Sequence, residues 1–179
     1  MNQLKYHPTH RFIRHIDKPY AGFVGVDIHG DHDPEGPNVP GWIRAGALVH
    51  LFCDARIDHL FACSKRGSSE RAVDTLRPFA EFHDLAVNTN FAPDQTGSVA
   101  RAIKQFPGNT LTAWEHSRIR EILAHFITDD EMRRVPEVWP DDRFDMIYCL
   151  RWDGKGYQFS QEPQMLVSGD SDVVFRVTA

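Results

Sequence analysis

Along this chain, short runs of continuous or alternating hydrophobicity take turns with segments whose apolar residues recur every three or four positions. The first pattern predicts strands and the second predicts amphipathic helices. Arg11 to His15 reads as a buried strand, stopped by Asp17-Lys18-Pro19 because proline has no N–H for a ladder and fixes its own φ. Ile57–Ala62, Leu85–Asn88, Thr110–His116 and Phe144–Trp152 are further strands. Asp153-Gly154 is a hairpin signal towards Tyr157–Ser160, so the late strands are expected as antiparallel additions at an edge.

Between them lie the helices. One should run from Gly41 to about Phe52, with Ile43, Ala47, Leu48, Leu51 and Phe52 on its apolar face. Another carries Arg71, Ala72, Thr75 and Leu76, capped by Ser68 or Ser69 and kinked or restarted at Pro78. A third shows Val99, Ala102, Ile103 and Phe106, and a fourth, capped by Ser117, shows Ile119, Ile122, Leu123 and Phe126. Thr128 with Glu131 has the capping-box pattern for one more short helix, ended near Pro136. Strands alternating with helices predict an α/β fold, a three-layer αβα sandwich with a mostly parallel central sheet and helices on both faces. No repeat or linker interrupts the pattern, so residues 1–179 read as one domain.

Composition narrows the function classes. The chain is 41% hydrophobic and 25% charged, a globular balance, and its formal charge of −5 argues against a general nucleic-acid or anionic-membrane binder. No apolar run approaches the roughly 20 residues of a membrane span, and Met1 to Pro8 has no apolar signal-peptide core. Cys53, Cys63 and Cys149 are odd in number, well separated and set among apolar residues, which predicts buried free thiols and a cytoplasmic protein.

Candidate chemistry gathers at strand ends. In α/β sheets a ligand sits outside the carboxyl ends of the parallel strands. Arg14-His15 and Glu115-His116 both end strands, so both imidazoles should reach one edge. His116 also stands where the Ser117 helix begins, and Arg71 lies in the first turn of the helix after the second strand. Two arginines and two histidines around a helix N-terminus describe an oxyanion site, because guanidinium is a permanent fork of donors and imidazole a nucleophile near neutral pH. Tyr20 to Pro40 is a long loop holding Asp27, His29, Asp31, His32 and Asp33, whose spacing fits no zinc or calcium loop. No metal or other cofactor is expected.

These segments resemble the histidine phosphatase superfamily, which has the phosphoglycerate mutase-like fold. Phe12-Ile13-Arg14-His15-Ile16-Asp17-Lys18-Pro19 resembles its opening Arg-His motif, and Gly41-Trp42-Ile43-Arg44-Ala45 its Gly-x-x-Arg-Ala helix start. Arg71-Ala72-Val73-Asp74-Thr75 is similar to the segment with the second phosphate-binding arginine, and Thr112-Ala113-Trp114-Glu115-His116 to the strand before the second histidine. The four occur in the family's order between residues 11 and 126. The resemblance implies His15 as the nucleophile that becomes phosphohistidine, and Arg14, Arg71 and His116 as phosphate-binding groups. It implies a metal-independent phosphatase acting on a small phosphorylated substrate or a phosphoprotein, or, as the alternative, a degenerate member that binds a phosphorylated ligand without turnover. Ile16 replaces the family's small residue after the first histidine, and Ser117 stands where some relatives have an acid. Asp94 is the candidate general acid. Period-two alternation points Glu115 away from His116's side.

Overall fold

A computed structural model describes residues 7–20, 22–65 and 69–177. The helix-breaking and strand-stopping residues divide the chain into β1 (Thr9–Arg14), α1 (Val39–Leu51), β2 (His59–Cys63), α2 (Arg71–His83), β3 (Val87–Phe91), α3 (Thr96–Gln105), β4 (Thr110–Trp114), α4 (His116–Leu123), α5 (Asp129–Met132), β5 (Met146–Trp152) and β6 (Tyr157–Pro163). The strands form one six-stranded sheet in the order β3-β2-β4-β1-β5-β6. β1, β2, β3 and β4 pair in parallel, whereas β5 and β6 are antiparallel additions that end the sheet on one side. The edge hairpin expected at Asp153-Gly154 therefore forms, with Gly154 at a φ of 100° that suits glycine.

Right-handed crossovers place the helices. The chain moves outward from β1 through β2 to β3 and then returns to β4, so α1 and α2 pack together on one face and α3 and α4 on the other. β1 and β4 are buried along nearly their whole length, and Trp114, Phe12 and Ile13 are among the largest fully buried side chains. α4 inserts Ile119, Ile122 and Leu123, each fully buried, and each contributes about 1.5–3 kcal/mol over an exposed position.

Local sequence misplaced several details. α1 begins two residues before Gly41, capped by Asn38, whose Oδ1 accepts from Gly41 N at 2.8 Å. Its buried face is Gly41, Arg44, Ala45 and Leu48, and Ile43 is exposed. The reason is long-range: Arg44 is buried between Asp17 and Asp170, both at 2.8 Å, which rotates the helix towards the charged residue. Gly41 lets α1 approach the chain after β1, because a Cβ there would lie 2.8 Å from Asp17 O. α2 runs uninterrupted through Pro78. It is preceded by Glu70 rather than Ser69, and Ser68 lies outside the described residues. α4 is likewise preceded by Glu115, which makes no side-chain cap, and Ser117 falls inside the helix. At α5 only half the capping box forms: Thr128 accepts from Glu131 N at 3.4 Å, while the Glu131 carboxylate is taken by Phe159 N and Arg134. Phe106 leaves the α3 face and packs on His59 and Phe61, 41% exposed. Cys63 and Cys149 are buried, and burial pushes both thiols up to about 12, but Cys53 is exposed in the turn after α1.

Candidate active site

The parallel pairing of β1 with β4 brings both histidines to one sheet edge. Arg14 is in register with Trp114, and His15 N donates to Trp114 O at 3.1 Å, so the ladder ends where the two imidazoles begin. Just beyond lies a cleft of about 200 Å³. Its lining comes from the carboxyl end of every parallel strand: His15 after β1, Cys63 and Ser64 at β2, Pro93 after β3 and Glu115 after β4. Ser69, Arg71 and Ala72 at the start of α2 and Glu35 of the long loop complete it.

His15 is held in one tautomer. Its Nδ1 lies 2.9 Å from Ile16 O, and a carbonyl can only accept, so Nδ1 carries the proton and Nε2 the lone pair. Burial, and then the charges of Arg14, Arg71 and His116, lower its pKa to about 3 despite the Ile16 bond. The imidazole is therefore neutral and nucleophilic at pH 7. Ile16 itself is fully buried, and its N donates to Thr75 Oγ1, which in turn donates to Arg71 O. This relay ties the end of β1 to the first turn of α2, which is how His15 and Arg71 come to share a cleft.

Arg71 donates through Nη1 to Glu35 O at 2.9 Å, while its buried Nε has no partner. Arg14 is almost fully buried. Its Nη1 donates to Pro140 O, Asp141 O and Arg143 O at 3.2, 2.7 and 3.0 Å, and its guanidinium lies 3.8 Å from the centre of the Phe144 ring. Nε and Nη2 remain without partners. Burial lowers the guanidinium to about 10, which leaves it charged at neutral pH. His116 places Nε2 2.7 Å from the Asp141 carboxylate, so that nitrogen carries the proton, and its buried Nδ1 has no partner. Lys18 is exposed, but its charge bears on His116 and Asp141.

Of the residues singled out from sequence, His15 and Arg71 line the cleft. Arg14 and His116 do not line it; they join it electrostatically and are linked to each other through Asp141. Asp94 is exposed on the turn before α3, its charge bears on Arg118, and it is not among the residues lining the cleft. Glu115 is. Strand alternation pointed it elsewhere, but β4 ends at Trp114, so the alternation does not reach it. Glu35 and Asp141 carried no sequence signal, since both stand in irregular segments that only tertiary packing brings to the site. Residues 27–33 build a turn: Asp27 Oδ1 accepts from His29 N and Asp31 N, and among the described residues no three metal-ligating side chains converge.

No family model and no curated protein matches the sequence. Solved structures do match the fold. A structure of the protein histidine phosphatase SixA complexed with tungstate is 14% identical, with a TM-score of 0.58 over 87% of this chain and 97% of the other. Phosphoglycerate mutase from Plasmodium falciparum is 13% identical, with a TM-score of 0.55 over 98% and 99%. Mycobacterial glucosyl-3-phosphoglycerate phosphatase, complexed with VO3, is 12% identical, with a TM-score of 0.54 over 87% and 97%. A six-stranded, mostly parallel sheet whose strand ends deliver His15 and His116 to one edge, together with these likenesses, gives this chain the phosphoglycerate mutase-like fold.

Proposed function

We propose that this protein is a phosphatase that hydrolyses a phosphomonoester or a phosphorylated protein residue through a phosphohistidine on His15. The observation that carries the reading is the His15 tautomer: Nδ1–H on Ile16 O leaves the Nε2 lone pair available in a cleft shared with Arg71. Nε2 attacks phosphorus, and the bond to the leaving oxygen breaks. The unpartnered donors of Arg14 and Arg71 neutralise the charge on the phosphoryl oxygens, joined by His116 Nδ1 when that ring is protonated. Water then attacks phosphorus, the P–N bond breaks and Nε2 recovers its lone pair. Glu115 is the carboxyl placed by the cleft to protonate the leaving oxygen and later to take the proton from water. The likeness to solved phosphatases supports this chemistry, and the reading assigns charge neutralisation to side chains rather than to a metal.

The test is to incubate wild type and His15→Ala with p-nitrophenyl phosphate and a panel of phosphometabolites in EDTA, with rapid denaturation to trap labelled protein. Wild type should turn over and carry an acid-labile, base-stable phosphoryl group, and the variant should do neither. Activity that EDTA abolishes, or that survives in His15→Ala, would refute the route.

A further inference from the structure

The cleft beside His15 holds one arginine, Arg71, and two carboxylates, Glu35 and Glu115. In the proposed mechanism Arg71 and His15 take the phosphoryl group, and Glu115 handles the leaving-group proton. Glu35 has no part in that chemistry, yet its side chain stands at the cleft and is 52% exposed. Its position is specific. Arg71 Nη1 donates to the Glu35 backbone oxygen at 2.9 Å, while Glu35 Oε2 lies 3.9 Å from the same nitrogen. At that distance the carboxylate makes no hydrogen bond to the guanidinium. The main chain of residue 35 therefore anchors the arginine, and its side chain sets a negative charge next to the group that receives a phosphate. A phosphoryl dianion arriving on Arg71 meets that charge at close range, and like charges so near oppose binding. A cation on the substrate's leaving group turns the repulsion into attraction.

The rest of the lining limits the size and kind of that leaving group. The cleft measures about 200 Å³, and among the described residues it offers no ring but His15 on which a base or an aryl group could stack. Ser64 and Ser69 add hydroxyls. The next residues on the same segments, Asp33, Lys65 and Glu70, line a neighbouring groove with Asp27, Asp74 and Arg77. Lys65 pairs with Glu70 at 3.0 Å and Arg77 with Asp74 at 2.9 Å, which leaves the Asp27 and Asp33 carboxylates in excess of these two cations. The approach to the cleft on the Glu35 side thus favours positive charge.

We propose that the substrate is a phosphomonoester whose leaving group is a short aminoalkyl chain, with its ammonium on the Glu35 carboxylate and its phosphoryl group on Arg71 and His15. The inference rests on the phosphatase reading and names the substrate class of that same site. Glu35 is then the specificity-determining residue: it attracts the ammonium and rejects substrates that carry a second anionic group, because their charge would meet its own.

A closely matched series of substrates reads the charge: 2-aminoethyl, 2-hydroxyethyl and carboxymethyl phosphate. In wild type kcat/KM should fall in that order, with the amine favoured over the hydroxyl by about fivefold, as an ion pair at a half-exposed site supports. High salt should shrink that preference by screening. Glu35→Gln should bring amine and hydroxyl to equal kcat/KM, and Glu35→Lys should rank the carboxylate above the amine. Both variants keep the backbone oxygen that anchors Arg71 and change only an exposed side chain, and each ratio is read within one variant, so a general loss of activity cancels. An amine preference that persists in Glu35→Gln or resists salt, or a wild type that favours the hydroxyl or the carboxylate, overturns the inference. Binding of 2-aminoethylphosphonate and 2-hydroxyethylphosphonate separates recognition from chemistry, because their P–C bond does not hydrolyse. Tighter binding of the amine, lost in Glu35→Gln, with no phosphoryl group on His15, supports the ammonium site and refutes the phosphatase reading. Equal binding of the two with His15 phosphorylated does the reverse.

Discussion

Asp141 holds both His116 and Arg14: its carboxylate accepts from His116 Nε2 at 2.7 Å, and its backbone oxygen accepts from Arg14 Nη1 at 2.7 Å. One exposed turn residue thus orients the second histidine and braces the first arginine. His116 Nδ1 can donate to an anion only when the ring is protonated, because Nε2 already carries the neutral ring's proton. Burial and the Arg14 charge oppose protonation, and Asp141 favours it. Asp141→Asn should therefore lower the His116 midpoint further, seen by NMR as a move of its ring titration to lower pH. The alkaline limb of kcat/KM should move to lower pH by the same amount. An unchanged His116 titration would show that the carboxylate does not govern the ring.

Arg14 braces residues 140–143 with one nitrogen and keeps two others free. Lysine cannot serve both ends, since its ammonium is a point charge and not a fork. Arg14→Lys should lower kcat/KM by about 10²- to 10³-fold, the usual cost of one lost oxyanion donor. It should also cost about 1–3 kcal/mol of stability through carbonyls left unpaired, measured by urea unfolding. A loss of stability with full activity would make Arg14 structural only.

The two candidate proton donors differ in position: Glu115 lines the cleft, and Asp94 stands exposed near Arg118. Glu115→Gln should slow hydrolysis of alkyl phosphates by about 10²- to 10⁴-fold, the usual contribution of a positioned acid. The loss should be much smaller with p-nitrophenyl phosphate, whose leaving group needs little protonation. Asp94→Asn measured in parallel decides between them; a larger alkyl-phosphate defect in that variant would return the role to Asp94.

His10 is buried on β1 between Thr110 Oγ1 at 3.1 Å and the Tyr157 hydroxyl at 2.8 Å, with Lys104 nearby. Burial lowers its pKa to about 4. A histidine depressed on folding binds more protons when unfolded, so stability is full above pH 6.5 and is lost as pH falls towards 4. His15 is depressed in the same sense. Urea midpoints at pH 7, 5.5 and 4.5 should fall steeply in wild type and less steeply in His10→Gln. Equal slopes would remove His10 from the acid response.

The sheet's parallel half, the edge hairpin and the delivery of His15 and His116 to one edge are legible in the residues alone. These follow from strand periodicity, turn chemistry and the rule that parallel strands end together, all of which act over a few residues. Arg71 is legible too, because a helix that starts after a strand must present its first turn at that edge. What each group touches is set by long-range packing. Asp141, Glu35 and the three carbonyls on Arg14 come from segments far away in sequence. Glu115 entered the cleft because β4 stops one residue early. Arg44 turned α1 because Asp17 and Asp170 meet it in the interior. Burial of a charge or a hydroxyl is settled by partners brought from across the chain, and hydrophobic periodicity carries no information about them.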